Sequence, residues 1–529
     1  MAIDQEMRKA ALEYHLNPVP GKISVMPTKA LSNQHDLALA YSPGVAYACD
    51  AIVEDPKNAA LYTSRANLVG VVTNGTAVLG LGNIGPLAAK PVMEGKGCLF
   101  KKFAGIDVFD IELAENDPDR LIEMIAALEP TLGGINLEDI KAPECFYIER
   151  KLKERMSIPV FHDDQHGTAI ISAAAMLNAL KVVGKSVGEV KVVCSGAGAA
   201  AISCLNLWCN LGVRRENVLV CDSRGVIFAG REANMEATKA EFARDTEART
   251  LADAIDGADI FLGLSAAGVL TGEMVSRMAK QPIVFALANP TPEIMPEEAR
   301  KVRPDVIIAT GRSDYANQVN NVLCFPFIFR GALDVGATRI TEEMKLACVR
   351  AISAMAHESV HSEVAVAYPG QELTFGAEYL IPKPFDPRLI LVIAPAVAQA
   401  AMDSGVATRP IADMAAYVEK LKGFVYRTGV GMRSMFDAAR NSKRTRIVYP
   451  DGEDERVLRA AQVILKEQLT HPILIGRPDV IAARLVKIGL KLQIGKDLEV
   501  VDPNNDERYN EVWKAYHQLM TRRGVTVDI

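Results

Sequence analysis

Residues 161–169 read Phe-His-Asp-Asp-Gln-His-Gly-Thr-Ala and join two different sequence patterns. The residues just before them, 158–161, form a short apolar run typical of a strand, whereas 167–179 is rich in small apolar residues and is typical of a buried helix. A strand that leads directly into a helix is the repeating unit of a parallel α/β sheet, and polar residues at that turn meet ligands. The stretch therefore predicts an α/β enzyme with Asp163 and Asp164 at its ligand-binding edge.

A second acidic pair, Glu138 and Asp139, ends another apolar run at 133–137. Neighbouring side chains of a regular strand point to opposite faces, so both can reach one ion only if the strand ends there. Carboxylate ligands favour Mg²⁺ or Mn²⁺ over zinc. The alternative for either acidic pair alone is the N-terminal cap of a helix. His162 and His166 flank the aspartates, but the glutamate that a zinc peptidase helix carries between its histidines is missing.

A glycine-rich loop at 195–201 predicts a dinucleotide site, because it follows the apolar run 190–194 and opens a helix in the pattern G-x-G-x-x-A. Asp222, at the end of the next apolar run, suits the ribose hydroxyls of NAD, whereas Arg224 suits the 2′-phosphate of NADP. The residues alone leave that choice open. The candidate cofactor-binding residues are Ser195, Gly196, Gly198, Ala199, Ala201, Asp222, Arg224 and Asn289.

Four further polar residues lie in predicted turns, where each could be either a catalytic or binding residue or an ordinary surface residue. Tyr41 precedes a Pro-Gly turn, and Lys96 is bracketed by glycines. A catalytic lysine would need a lowered pKa, and most such lysines are simply solvated. Asn289 and Asn321 could supply amide hydrogen bonds at the sheet edge, or they could be turn asparagines.

Composition narrows the class of protein. Of 529 residues, 59 are Lys or Arg and 65 are Asp or Glu, so the net charge is −6 with no long basic tract, which argues against a nucleic-acid partner. Nine scattered cysteines without a C-x-x-C pair are typical of reduced thiols and predict a cytoplasmic protein. No signal peptide is visible, and no apolar run approaches the ~20 residues that span a bilayer, so we expect no membrane partner.

The length predicts about three domains. Residues 161–402 begin with alternating short β-branched runs and helical stretches, which predicts a Rossmann-type doubly wound parallel sheet. The predicted strands are 190–194, 218–221, 260–264, 283–287 and 306–309. Residues 1–160 would form a separate N-terminal domain, 403–429 a helical linker, and 430–529 the start of a third α/β unit.

In this order the motifs resemble those of the malic enzymes. The resemblance is carried by YSPGVA at 41–46, MEGKG at 93–97, NLEDI at 136–140, FHDDQHGTA at 161–169, the glycine loop, ANPT at 288–291 and NN at 320–321. Beyond 445, TRIVYPDGEDERVLRAAQ and HPILIG resemble the start of a phosphotransacetylase domain. The whole chain thus resembles the bacterial hybrid malic enzymes, in which 1–160 is the substrate domain and 430–529 opens a regulatory module that responds to acetyl-CoA.

The resemblance implies oxidative decarboxylation of L-malate to pyruvate and CO₂, with NADP, or NAD as the alternative, and Mg²⁺ or Mn²⁺. It assigns general acid to Tyr41, general base to Lys96, and the acid that pairs with this lysine to Asp163. It assigns the metal to Glu138, Asp139 and Asp164, and malate contacts to Asn289 and Asn321. It further implies a homo-dimer or higher homo-oligomer.

Two departures from the family pattern change these expectations. Ala77 stands where larger malic enzymes carry an arginine for a malate carboxylate, so other groups must hold it. The transacetylase-like stretch stops at Ile529, before the half expected to carry its active site, so we expect no acyl transfer. Two alternatives for the chain are another NAD(P)-dependent hydroxy-acid or amino-acid dehydrogenase, which would not need both acidic pairs, and a non-catalytic sensor of nucleotide or acetyl-CoA.

Overall fold

The structure, a computed structural model, describes residues 2–523 apart from 79, 236, 361, 369, 370, 372, 426–438, 440–444, 467 and 468. The described residues belong to two compact units. The first comprises residues 1–356 and 376–424, and the second comprises residues 357–375 and 425–529. The end of the predicted linker, at 429, and the start of the last predicted domain, at 430, lie outside the described residues.

Four parallel strands form the first sheet: β1 (Leu68–Thr73), β2 (Asp107–Glu112), β3 (Gly134–Leu137) and β4 (Val160–His162). They lie in the order β2-β1-β3-β4. Every residue of β1, β3 and β4 is buried. Strands buried on both faces need continuous apolar sequence, which explains why these runs do not alternate with polar residues.

Six strands form the second sheet: β5 (Val192–Ser195), β6 (Val218–Asp222), β7 (Gly225–Val226), β8 (Ile260–Gly263), β9 (Ile283–Ala286) and β10 (Ile307–Thr310). Their order is β10-β9-β8-β5-β6-β7, and all neighbours are parallel except β6 and β7. The strand order reverses at β5, and ligands of doubly wound sheets bind at the carboxyl ends of strands at such a point. The predicted Rossmann-type sheet is confirmed, with strand ends within two residues of those predicted.

Helices cover the sheets, and one of them is unusually long and apolar. In chain order they are α1 (Ala2–Leu16), α2 (Gln34–Ala40), α3 (Val45–Glu54), α4 (Ala59–Tyr62), α5 (Pro86–Ala104), α6 (Pro118–Ala126), α7 (Glu144–Arg155), α8 (Asp163–Val183), α9 (Ala199–Asn210), α10 (Ala237–Ala240), α11 (Leu251–Ala254), α12 (Gly272–Ser276), α13 (Pro296–Val302), α14 (Phe325–Asp334), α15 (Glu342–Met355), α16 (Ser362–Ala367), α17 (Leu389–Asp403), α18 (Met414–Val425), α19 (Glu455–Lys466), α20 (Pro478–Lys487) and α21 (Tyr509–Met520). By length and composition α8 could cross a membrane, so the expectation that no run approaches that length is wrong for α8. Most of α8 is buried inside the protein, so its apolar character serves the core.

The second unit has its own parallel sheet of β11 (Arg446–Tyr449), β12 (His471–Ile475) and β13 (Glu499–Val501), in that order. Leu458 of α19, Leu474 of β12 and Ile481 of α20 belong to its apolar core. The α/β unit predicted to follow residue 445 is therefore confirmed.

Lys383 is a buried lysine of the first unit that gives the fold a measurable dependence on pH. Its amine donates to the carbonyl of Ala316 at 2.6 Å, and burial lowers its pKa to about 8. Between this value and the ordinary lysine pKa, the unfolded chain binds the proton that the folded chain has lost, so stability rises with pH. We expect this rise to total roughly 3 kcal/mol between pH 8 and 10.5 and to be absent from Lys383→Met.

The measurement is urea unfolding in a Trp513→Phe background, which leaves Trp208 of the first unit as the single tryptophan. The exposed Lys301→Met substitution is the control and should keep the pH dependence of the unsubstituted chain. Equal pH dependence in Lys383→Met and the unsubstituted chain would contradict the assignment.

Candidate active site

The two acidic pairs lie side by side because they follow neighbouring parallel strands. Leu137 and His162, the last residues of β3 and β4, are in register. The acidic pairs at 138–139 and 163–164 therefore leave the sheet at the same edge. Asp139 has a left-handed backbone conformation (φ 54°), which is uncommon outside glycine and marks an abrupt end of the strand. This meets the condition under which two adjacent strand-end side chains can reach one ion.

Glu138, Asp139 and Asp164 form a cluster in which one carboxylate oxygen of each residue lies within 4.8 Å of those of the other two. The Asp139 N–H also donates to Asp164 at 2.8 Å. Burial raises the pKa of Glu138, and loss of hydration raises the pKa of Asp164 to about 6. Negative charges held this close repel one another, and a divalent cation between them would remove the repulsion. Hard oxygen donors at this spacing fit Mg²⁺ or Mn²⁺.

Lys96 of α5 links this cluster to Asp163. Its amine lies 2.6 Å from Asp163 and 2.8 Å from Glu138, and 4.2 Å from the centre of the Phe325 ring. Burial by itself would lower the pKa of Lys96, but the two carboxylates outweigh burial and hold this pKa above its ordinary value. The raised pKa of Lys96 is the opposite of the lowered pKa that a catalytic lysine requires. The sequence could not show this, because it does not reveal that two carboxylates face the amine.

Asp163 is fully buried beneath the turn, and Gly167 makes room for it. A Cβ atom at position 167 would lie 2.0 Å from Oδ1 of Asp163 and 3.0 Å from the Cβ of Asn321. Only glycine fits there, so Gly167 allows Asp163 to fold back over the first turn of α8 and brings Asn321 next to it. Burial raises the pKa of Asp163 to about 6, although Lys96 opposes the shift. Asn289 follows β9 and is close to the backbone of Gly311.

Tyr41 differs from these residues in being highly exposed. It ends α2, where its N–H bonds to the carbonyl of Leu37, and its side chain is 74% exposed. Among the hydrogen bonds and ion pairs of the described residues, none joins the Tyr41 side chain to Lys96 or to the carboxylates. Its role as general acid stays a prediction.

The glycine loop has the backbone shape that a dinucleotide site needs. Gly196 has φ +115°, and a Cβ there would lie 2.4 Å from the carbonyl oxygen of Leu264. Nothing lies within 4 Å of a Cβ built on Gly198, which caps α9 without a side-chain hydrogen bond. The start of α9 therefore has free space beside Gly198, as an anion-binding helix start requires. Ala201 is buried, and Ser195 bonds to Ser265 at 2.9 Å.

Asp222 is already engaged by the protein. Its carboxylate accepts hydrogen bonds from Arg231 at 2.6 Å, Asn234 at 3.0 Å and the Arg224 N–H at 2.9 Å, with Lys239 at 3.9 Å. These partners lower the pKa of Asp222 despite its burial. The exposed Arg224 guanidinium makes no hydrogen bond or ion pair within the described part of the chain. The edge of β6 is thus cationic overall, which suits a 2′-phosphate better than a ribose hydroxyl.

Sequence reasoning missed two side chains of the site, one that contacts Glu138 and one that contacts Lys96. Asn136 is fully buried in β3 and donates to Glu138 at 2.8 Å. A polar side chain inside an otherwise apolar strand was the signal that could have identified it. The contact of Phe325 with Lys96 had no signal, because the two residues come from distant parts of the chain.

Three family descriptions match the chain in succession: malic enzyme, N-terminal domain, at residues 20–153; malic enzyme, NAD binding domain, at 165–373; and phosphate acetyl/butaryl transferase at 431–529. A protein of Salmonella typhimurium named NADP-dependent malic enzyme is 64% identical over 527 residues, which cover 99% of this chain and 69% of that protein. This chain belongs to the malic enzyme family. The resemblance inferred from the motifs is confirmed.

Other family members support the assignment and show that cofactor names vary. A protein of Rhizobium meliloti named NAD-dependent malic enzyme is 61% identical over 523 residues, covering 99% of this chain and 67% of that protein. The crystal structure of malic enzyme from Pyrococcus horikoshii has a TM-score of 0.73 and 41% identity, covering 81% of this chain and 98% of that one. Family membership by itself therefore does not choose between the two nucleotides.

Proposed function

We propose that this chain catalyses the metal-dependent oxidative decarboxylation of L-malate to pyruvate and CO₂, with NADP as electron acceptor. The observation that carries the proposal is the buried Lys96–Asp163–Glu138 contact beside a cluster of three carboxylates. The names of the relatives agree with it.

Glu138, Asp139 and Asp164 would hold Mg²⁺ or Mn²⁺. When bound, such a cation supplies Lewis-acid stabilisation of negative charge on the substrate oxygens. Asn136 keeps Glu138 oriented by its 2.8 Å hydrogen bond. Asn289 and Asn321 are the proposed malate contacts, and Asn321 is supported by its position next to Asp163.

Lys96 would move the proton of the malate C2 hydroxyl. With two carboxylates facing it, the amine keeps its own proton and cannot accept another. A cation held by Glu138 would leave Asp163 as the carboxylate that stabilises the ammonium, and the pKa of Lys96 would then be lower, as a general base requires. Tyr41 remains the proposed acid for protonation of C3, since a phenol is a weak acid suited to an enolate.

The first helix turn of α9 and the open space at Gly198 would receive the dinucleotide phosphates, and a bound nicotinamide would take up the electrons removed from C2.

Arg224 is proposed to bind the 2′-phosphate of NADP. Arg224→Gln is expected to raise KM for NADP about 10–100-fold, the effect of losing one charged hydrogen-bonded pair, and to leave KM for NAD nearly unchanged. Initial rates with each nucleotide measure this, and the exposed Arg214→Gln is the matched control. A parallel rise in both KM values would rule out the phosphate contact.

Reduction of NADP by L-malate and Mn²⁺, followed by absorbance with and without EDTA, tests the proposed function. Metal-dependent reduction with equimolar pyruvate and CO₂ is the expected result. Reduction that is insensitive to EDTA would favour a different dehydrogenase, and nucleotide binding without reduction would favour a sensor.

We propose that the chain acts as a homo-oligomer, at least a dimer, in the cytoplasm. Large apolar side chains are exposed throughout residues 7–62, among them Val25, Tyr47 and Val53 at 82%, 77% and 83%. Apolar surface on this scale is typical of an interface. All nine cysteines are free thiols, as a reducing compartment would keep them. The match at 431–529 supports acetyl-CoA as the candidate regulator of the second unit.

A further inference from the structure

Glu149 of α7 is a buried carboxylate that the proposed reaction does not use. It is 5% exposed, and two of its partners come from the turn where β4 leads into α8. Oε1 accepts the backbone N–H of His162 at 3.1 Å. Both oxygens lie near Nε2 of His166, at 2.8 and 3.0 Å. Lys153, one turn further along α7, lies 2.7 Å away.

The contacts of His166 define which nitrogen carries the proton. Nε2 lies closest to the two oxygens of Glu149, and a carboxylate only accepts, so Nε2 carries the N–H in this contact. The amines of Lys345 and Lys153 lie further away, each 3.4 Å from one ring nitrogen. The ring therefore donates to Glu149 through Nε2. Two donors from the turn thus meet one carboxylate.

These donors flank the two aspartates. The N–H of His162 comes immediately before Asp163 and Asp164, and the ring of His166 comes two residues after Asp164, in the first turn of α8. Glu149 holds the chain on both sides of the aspartates without a hydrogen bond to either of them in the described structure. An ion pair with Lys153 alone would satisfy the carboxylate charge, so the two contacts with the turn add a constraint on its backbone.

We propose that Glu149 is a positioning residue that holds the β4–α8 turn, and with it Asp163 and Asp164, in the geometry of the candidate metal site. This inference rests on the proposed function, since it assigns a purpose to the carboxylate cluster. Partners behind metal ligands typically change metal affinity by about 10–100-fold when they are replaced.

The test is Mn²⁺ affinity of the full chain, measured from the electron paramagnetic resonance of free Mn²⁺ without substrate or nucleotide. Glu149→Gln keeps the shape of the side chain but places an N–H₂ group against the donors of His166 and Lys153. We expect its Kd for Mn²⁺ to rise about 10-fold or more, with NADP affinity unchanged. Glu154→Gln is the matched control, because Glu154 lies on the same helix in an exposed pair with Lys151.

A second pair of variants separates positioning from loss of folding. His166→Gln keeps an N–H that can reach Glu149, whereas His166→Ala removes it, and both lose the ring. We expect His166→Gln to bind Mn²⁺ within about threefold of the unsubstituted chain and His166→Ala to bind about 10-fold more weakly.

Equal Mn²⁺ affinity in His166→Ala and His166→Gln, or unchanged affinity in Glu149→Gln, would overturn the positioning role and leave the proposed function intact. Absence of Mn²⁺ binding by the unsubstituted chain would instead defeat the proposed metal site, and the positioning role with it.

Discussion

Lys96→Ala is expected to lower kcat for malate oxidation by about 10³-fold, within the 10²–10⁴-fold range of general acid–base catalysis. The reason is that the amine is buried and lies 2.6 Å from Asp163 and 2.8 Å from Glu138, which belongs to the carboxylate cluster. Dinucleotide affinity should stay unchanged, because the glycine loop belongs to the other sheet. Steady-state kinetics and NADP binding, measured on the same preparation, give both quantities.

Lys96→Arg separates charge from proton transfer. Arginine keeps a cation between the two carboxylates but does not give up its proton in proteins. We therefore expect Lys96→Arg to stay folded and nearly inactive. Lys101→Ala, on the exposed side of the same helix, should be fully active. Near-normal turnover of Lys96→Arg would exclude Lys96 as a proton carrier.

Asp164→Asn is expected to raise the Kd for Mn²⁺ by at least about 100-fold, above the range typical of residues that stand behind metal ligands. The substitution preserves the shape of the side chain, and its amide oxygen can still accept the Asp139 N–H. What it removes is one of the three charges that would hold the cation. Calorimetric titration with Mn²⁺ measures the change.

Thermal unfolding of Asp164→Asn gives a second readout, in which the variant should be at least as stable as the unsubstituted chain although it binds Mn²⁺ more weakly. Without metal, its midpoint should equal or exceed that of the unsubstituted chain, because one of three mutually repelling carboxylates has lost its charge. Mn²⁺ should raise the midpoint of the unsubstituted chain by binding only the folded state, and should have little effect on the variant. Asp256→Asn, an exposed carboxylate of the same unit, is the control. A Mn²⁺-dependent rise of equal size in Asp164→Asn would show that the cation binds elsewhere.

Local patterns were enough to predict five of the six strands of the second sheet, whereas the two-residue strand β7 was not predicted. The continuous β-branched runs could only be strands buried on both faces, and the glycine loop had its strand before it and its helix after it. The apolar length of α8 was underestimated, because its polar N-terminal turn and small residues interrupt the hydrophobic run that was sought. The first sheet was less accessible from local patterns, since β2 mixes acidic and apolar residues and lacks a continuous apolar run.

In the candidate site, too, some residues could be predicted from the sequence, whereas their contacts were visible only in the structure. Asp163 and Asp164 could be singled out as the polar residues of a strand-to-helix turn, whereas Glu149 and Asn136 could not be tied to them. Asp222 looked like a free ribose-binding acid, because the sequence does not show that Arg231 and Asn234 reach its carboxylate. Tyr41 could be named through the family resemblance, but its exposed position was visible only in the structure.

The sequence by itself determined the α/β class, the dinucleotide loop and the two acidic pairs, because strand length, helix period and glycine placement act over a few neighbouring residues. The tertiary structure alone decided that Leu137 and His162 end in register, so that both acidic pairs meet at one sheet edge. It also decided the charge of Lys96, because the pKa depends on whether burial or the two carboxylates prevail. Asp163, one of those carboxylates, lies 67 residues away in the chain, and only folding brings it within 2.6 Å of the amine.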